Sequence, residues 1–233
     1  MDSEKKMDLV SILMSVNNSS DTIERSVESI LNQDYKKIEF LIIDDGSTDD
    51  TYEKLLELSK KNKNITLFRN EENIGLTKSL NVLIKNSNGK ILGRQDGDDI
   101  SLPNRISTQY NYLKHFNLDF CTSRAFKNDT NKKIPGYSFF ISPKILMKYK
   151  NPFIHGTLLI KKSIMEDIGL YDENFYYAQD YKLMKDLIKK NYKFKIINEC
   201  LYFLNMKNNI STLKKDEQKY YSECVRKNIV PSV

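Results

Sequence analysis

The chain has no apolar run approaching the roughly 20 residues that a bilayer-crossing helix needs. Its opening residues, Met1 to Asp8, are polar and mixed in charge, so no secretory leader is expected there. Cysteine is scarce, and Cys121, Cys200 and Cys224 are odd in number, far apart and without a CxxC spacing. They read as isolated thiols in a reducing compartment, which makes a cytoplasmic location the expectation. No run of five basic residues occurs, although the net charge is +6. The segment from Asp180 to Val233 carries twelve Lys or Arg against six Asp or Glu and so supplies the whole excess. An attraction to anionic lipid or to a phosphorylated acceptor is one reading. A lysine-rich solvated surface is the other, and the lack of a basic block favours it.

Several familiar signatures are missing too. A dinucleotide-binding GxGxxG would follow the first strand, where Asn17-Asn18-Ser19-Ser20 stands. A DxDGT phosphatase needs an Asp where Ile43 is found, and an EF-hand needs Gly and Glu where Ser101 and Ser107 are found. Neither an internal repeat nor a low-complexity linker interrupts the chain. What remains is 233 residues, 39% hydrophobic and 29% charged, enough for one substantial core. A single domain spanning 1–233 is expected, with halves at about 9–123 and 124–211 and a helical tail at 212–233.

The first half alternates strand and helix patterns. Leu9 to Val16 is a continuous apolar run of strand length. Asp21-Thr22-Ile23-Glu24 has the form of a capping box, followed by Ile23, Val27, Ile30 and Leu31 at helical spacing. Strands are predicted at Ile38 to Ile43, Ile65 to Phe68, Lys90 to Arg94 and Leu118 to Ser123. Helices are predicted around Leu55 to Leu58, Leu76 to Ile84 and from Pro103 onward. Near-continuous apolar strands alternating with helices imply a mostly parallel sheet covered on both faces, with ligands beyond the carboxyl ends of its strands. In the second half, 127–150 has no clear pattern. A strand is predicted at Thr157 to Ile160, helices at Lys162 to Ile168 and Tyr181 to Asn191, and paired strands at Phe194 to Ile197 and Leu201 to Leu204.

Two acidic groups fall at predicted strand ends: Asp44-Asp45 and Asp96-Gly97-Asp98-Asp99. Three carboxylates within four residues repel one another unless a cation, solvent or a helix N-terminus relieves them. A divalent ion carrying a diphosphate does so, since Mg²⁺ and Mn²⁺ prefer oxygen ligands. An acidic turn before a helix is the alternative.

The segments Val10 to Asn18, Ser29 to Tyr35, Leu41 to Thr51, Asn73 to Asn81, Gly93 to Arg105, Asn151 to Thr157 and Tyr171 to Leu183 together resemble the family 2 inverting glycosyltransferases. The resemblance runs from about Leu9 to Ser211. It implies a GT-A fold, an α/β Rossmann-like sandwich with a mostly parallel sheet flanked by helices. It implies transfer of a sugar from a nucleotide-diphosphate donor, UDP-sugar first among them, to an acceptor hydroxyl with inversion. A glycan or lipid-linked acceptor in surface polysaccharide or lipopolysaccharide synthesis is expected, with no nucleic acid and with peripheral association on the inner face of the plasma membrane allowed.

The implied roles are specific. Asp45 would accept a hydrogen bond from the imide N–H of the base, with Gly46 permitting close approach, and Asp44 would hold the turn. Asp98 would bind Mn²⁺ or Mg²⁺, with Asp96 on the ribose or a metal-bound water. Arg94 and Lys78 are candidates for the nucleotide's phosphates or ribose. Asp180 matches the general base, a position that would otherwise be an ordinary helix cap. His155 either orients the acceptor or packs in the core.

Three departures stand out. Ser15-Val16-Asn17-Asn18 replaces the family's PxYN, so the Tyr that packs near the base is missing. Gln179 stands where Glu often precedes the catalytic Asp. The region Leu204 to Ser211 lacks the frequent Arg-x-His, with Lys207 as a substitute contact to the diphosphate. These departures motivate a second reading, a catalytically inactive nucleotide-sugar-binding or scaffold homologue.

Overall fold

The computed structural model describes residues 7–206 and 214–232. Three buried apolar runs begin the fold: β1 (Val10–Val16), β2 (Ile38–Asp45) and β4 (Ile91–Arg94). With β3 (Ile65–Asn70) they pair in parallel in the order β3-β2-β1-β4. Side chains alternate between two cores, as the pleat of a strand requires. Val10, Ile12 and Met14 pack with Ile23, Val27 and Ile30 of α1 (Ile23–Leu31), Leu55 of α2 (Thr51–Lys61) and Ile106 and Leu113 of α4 (Arg105–His115). Leu13, Leu41 and Ile43 face the other way. They meet Leu80, Leu83 and Ile84 of α3 (Leu76–Asn86), and Leu183, Met184 and Leu187 of α7 (Gln179–Lys189) lie in the same core.

Beyond β4 the sheet changes character. β8 (Leu159–Lys161) runs antiparallel to both β4 and β6 (Phe120–Lys127). β9 (Phe194–Leu204) is parallel to β6, and its end pairs antiparallel with the two-residue β5 (Ile100–Ser101). The sheet is therefore mixed rather than mostly parallel, with the parallel expectation holding for its first four strands. β9 also corrects the expected pair of strands. It is one element with a bulge at Asn198-Glu199, both exposed, where the register to β6 jumps from Ser123–Ile197 to Arg124–Cys200.

The unassigned stretch holds β7 (Lys133–Ile134), a 3₁₀ turn at Tyr137–Phe140 and the single-turn α5 (Pro143–Leu146). α6 (Lys162–Asp167) matches the expected short helix, and α8 (Lys215–Lys227) the expected tail. Among the described residues, no helix is long and apolar enough to cross a membrane.

Candidate active site

Both acidic groups lie at carboxyl ends of parallel strands, on neighbouring sides of β1. Asp45 is buried, and its carboxylate is already engaged. Oδ1 accepts from Asn70 Nδ2 at 2.7 Å and from the Ile74 amide at 3.1 Å, while Oδ2 accepts from the Gly75 amide at 2.9 Å. An ionised carboxylate has about four lone-pair positions, so capacity for one further donor remains. Asp44 is fully buried, with Oδ2 accepting from the Ser47 amide at 3.4 Å and lying 3.4 Å from Arg69 Nε. Its contact with the Ser47 amide lies within the turn. Gly46 has φ of +67°, and a Cβ there would stand 2.5 Å from the Glu72 carbonyl carbon. The close approach that the glycine permits is therefore made by the chain's own Glu72–Asn73 backbone. Asn17, in the place of the missing Tyr, donates to the carbonyls of Asp45 and Gly46 at 2.8 and 3.2 Å and so braces the same turn.

An aromatic ring approaches this turn from another quarter. Tyr176 is 48% exposed, and a Cβ at Gly75 would meet its Cε2 at 2.5 Å. Its hydroxyl is pushed above the ordinary tyrosine range by burial, and the Asp45 charge contributes.

The loop after β4 is built differently. Its backbone is pinned from α1: Ser26 Oγ donates to the Asp96 carbonyl at 2.6 Å and Thr22 Oγ1 to the Gly97 carbonyl at 3.0 Å. The expected Asp21–Glu24 capping box is absent, because Thr22 rather than Asp21 takes the N-cap position. Thr22 spends its hydroxyl on the loop, and Glu24 pairs with Lys54 at 3.4 Å. Gln95, fully buried, donates to the Asp99 carbonyl at 3.0 Å and accepts from Ser101 Oγ at 2.7 Å.

The loop's three carboxylates sit close together with little relief. Burial, reinforced by the charge of Asp96, raises Asp98 to about 6. Asp99 is more deeply buried and lies well above the ordinary carboxylate range, from burial and then from Asp96 and Asp98. It accepts from the Asn205 amide at 2.6 Å and from Tyr202, while the Asn205 side chain bonds Asp98. Asp96 pairs with Arg94 at 2.5 Å, and Arg94 is itself 2% exposed and donates to the carbonyls of Leu13 and Gln95. Arg94 thus supports Asp96 from below instead of lying open to a phosphate. Lys78 is exposed on α3.

Residues of the second half converge on the same place. Gly156 is a close-approach site, because a Cβ there would stand 2.7 Å from Asp96 Oδ2 and 2.5 Å from the Tyr202 hydroxyl. His155 Nε2 and the Tyr171 hydroxyl hydrogen-bond at 2.7 Å. Burial, then the nearby Arg94 charge, lowers His155 to about 4, opposed by Asp180 and Asp96. Burial also holds Tyr171 above its ordinary range. Asp180, in the first turn of α7, accepts from Asn151 Nδ2 at 2.8 Å through Oδ2, and no side chain caps that helix. Asp96, Arg94, His155 and Asp180 therefore form one electrostatic cluster. Beneath it lies Arg105, fully buried and lowered to about 10 by that burial; its Nη1 donates to the carbonyls of Arg94 at 2.9 Å and Gly156 at 2.7 Å.

Among the described residues, no three His, Cys, Asp or Glu side chains form a metal-holding group. Mg²⁺ and Mn²⁺ are commonly held by one or two carboxylates together with substrate phosphates. The half-buried, mutually repelling Asp96 and Asp98 fit that mode. Lys207 lies outside the described residues. Asn151, Tyr171, Tyr176 and Tyr202 escaped sequence reasoning. Asn151, Tyr171 and Tyr176 lie within the matched segments, but no property of an isolated Tyr or Asn announces a partner so distant in sequence.

Comparison with known proteins agrees with this architecture. Residues 11–191 match the model of glycosyl transferase family 2, and the chain belongs to that family. An uncharacterized glycosyltransferase of Methanocaldococcus jannaschii, MJ1057, is 32% identical over 92% of this chain and 77% of its own length. Two Escherichia coli relatives are each 29% identical. The O-antigen biosynthesis glycosyltransferase WbnJ matches over 94% of this chain and 86% of its own length. The UDP-Glc:alpha-D-GlcNAc-diphosphoundecaprenol beta-1,3-glucosyltransferase WfaP matches over 80% and 73%. The mannosyltransferase PcManGT of Pyrobaculum calidifontis, solved with GDP-Man and Mn²⁺, superposes with a TM-score of 0.78 at 16% identity, covering 97% of this chain and 67% of that one. The chain spans about 60% of the length of some others, among them S. aureus TarS 1-349.

Proposed function

We propose that the chain transfers a sugar from a nucleoside-diphosphate donor, a UDP-sugar first, to an acceptor hydroxyl in surface-polysaccharide synthesis, with inversion. The observation that carries this reading is the convergence of Asp180 with Asp96, Arg94 and His155 at one mouth of the sheet. Asn151 fixes one oxygen of Asp180. The other oxygen takes the acceptor's proton as the acceptor oxygen bonds to the anomeric carbon. The bond from that carbon to the diphosphate breaks on the opposite face, and the nucleoside diphosphate leaves with the electron pair.

Asp45 reads the base, and Tyr176 supplies the aromatic wall that Asn17 no longer provides. Asp98 and Asp96 hold a divalent cation, which when bound offsets the negative charge of the diphosphate. His155, neutral at pH 7, stays uncharged beside Arg94 and keeps the acceptor side from competing for the carboxylates. A lipid-linked acceptor, of the class named for WfaP, suits an enzyme of this kind.

The test is a panel of UDP-, GDP- and dTDP-sugars with Mn²⁺. One donor should bind and be slowly hydrolysed. Asp180→Asn should retain donor binding and lower transfer by about 10²–10⁴-fold. A chain that binds a donor but turns over none, with or without acceptor, would point to the inactive homologue instead.

A further inference from the structure

Residues 132–150, which carry no legible pattern, hold the three most exposed large apolar side chains among the described residues. Tyr137 is 95% exposed, Phe140 78% and Tyr149 70%, with Ile145 and Ile141 at 53% and 45%. The segment is anchored from behind. Leu146 and Met147 are buried in the core, Tyr181 Oη donates to the Met147 carbonyl at 2.7 Å and Arg226 Nη1 to the Tyr149 carbonyl at 3.1 Å. At its other end, Arg124 donates to the Pro135 carbonyl at 3.0 Å and lies 4.9 Å from the centre of the Phe139 ring. A firmly backed element that keeps its aromatic side chains in water marks a docking surface.

Charge identifies the occupant. Lys132, Lys133, Lys144, Lys148 and Lys150 are exposed, no acidic residue lies between the first and the last, and none of the five is ion-paired among the described residues. A second copy of this chain would set like charges against each other. An anionic bilayer satisfies both features, since aromatic rings settle at the headgroup level and lysines are drawn to anionic lipid.

We propose that residues 132–150 dock the protein on an anionic membrane surface. The segment runs directly into Asn151, which holds Asp180, so a lipid-borne acceptor would arrive beside the base. That consequence rests on the transferase reading, whereas docking does not.

The experiment is flotation of the full chain with vesicles of phosphatidylcholine alone or mixed with phosphatidylglycerol. Binding should require phosphatidylglycerol and fall with salt. Lys144→Ala and Lys148→Ala should each weaken it about fivefold, and Tyr137→Ser with Phe140→Ser should weaken it at least about tenfold. These exposed positions should leave thermal unfolding and hydrolysis of a soluble donor unchanged. No flotation, or flotation indifferent to the variants, overturns the proposal. A dimer seen by sedimentation and abolished by Tyr137→Ser with Phe140→Ser, without vesicle binding, would assign the face to a second copy. Flotation by a chain that turns over no donor leaves docking standing and removes the transferase reading alone.

Discussion

Two acidic pairs lie at the carboxyl ends of β2 and β4, the strands on either side of β1, and they have been treated in opposite ways. Asp44 and Asp45 are met by an arginine, a side-chain amide and three backbone amides, which leaves one buried oxygen of Asp44 without a partner among the described residues. Asp98 and Asp99 have been crowded against Asp96 and pushed upward by burial, while Arg94 is paired with Asp96. The protein itself meets most of the first pair's acceptor capacity. The second is left with its mutual repulsion. Recognition of a neutral base edge needs a rigid acceptor, and capture of a cation needs unspent negative charge.

That contrast can be broken by substitution. Asp45→Ala strips the acceptor from two amides and Asn70, and should cost about 3 kcal/mol or more in a urea titration. A loss below about 1 kcal/mol would mean that the turn does not depend on it. Asp98→Asn should act the other way. With its folded pKa raised from 3.8 to about 6, Asp98 is protonated more readily in the folded state, so its contribution is favourable below about pH 4 and is lost as pH rises through 6. The variant should match the parent at pH 4 and exceed it at pH 8 by on the order of 1–3 kcal/mol. It should also lose Mn²⁺-dependent UDP binding by calorimetry.

His155 gives a smaller effect of opposite slope. Its folded pKa lies near 4, so the unfolded chain takes up a proton first as pH falls below about 6.5. Stability relative to His155→Gln should decline there, by at most about 1.4 kcal/mol per pH unit. A difference curve that is flat from pH 7 to pH 4 would contradict a neutral, buried imidazole. Asp99→Asn should also raise stability at neutral pH, because burial and the Asp96 and Asp98 charges hold this carboxyl well above the ordinary range, while the amide oxygen still accepts from the Asn205 amide. A large loss would place Asp99 with the first pair.

The parallel half of the fold was legible because β1, β2 and β4 are buried on both faces and read as unbroken apolar runs. β9 misled because its bulge puts Asn198 and Glu199 outward in succession, so one strand looks like two. β5 is too short to carry a period. Among the site residues, the carboxylates announced themselves by crowding. The role of Arg94 did not, since only the fold shows it buried under Asp96. The capping box failed because the helix takes Thr22 as its N-cap, one residue past Asp21, so Glu24 no longer stands three residues after the cap.

Arg105 has a consequence for how the protein can be divided. Its buried guanidinium forms no direct ion pair among the described residues; it feels the Asp96 and Asp99 charges, and it donates to two carbonyls, one from β4 and one from Gly156, on opposite sides of the expected boundary near residue 123. A fragment ending there would keep the cation and lose half of its ligation, exposing an interior charge to an apolar surround. The nucleotide-side half is therefore no free-standing module. The later half acts as its missing solvent, and grafting one half onto a foreign partner would require a carbonyl in the place of Gly156.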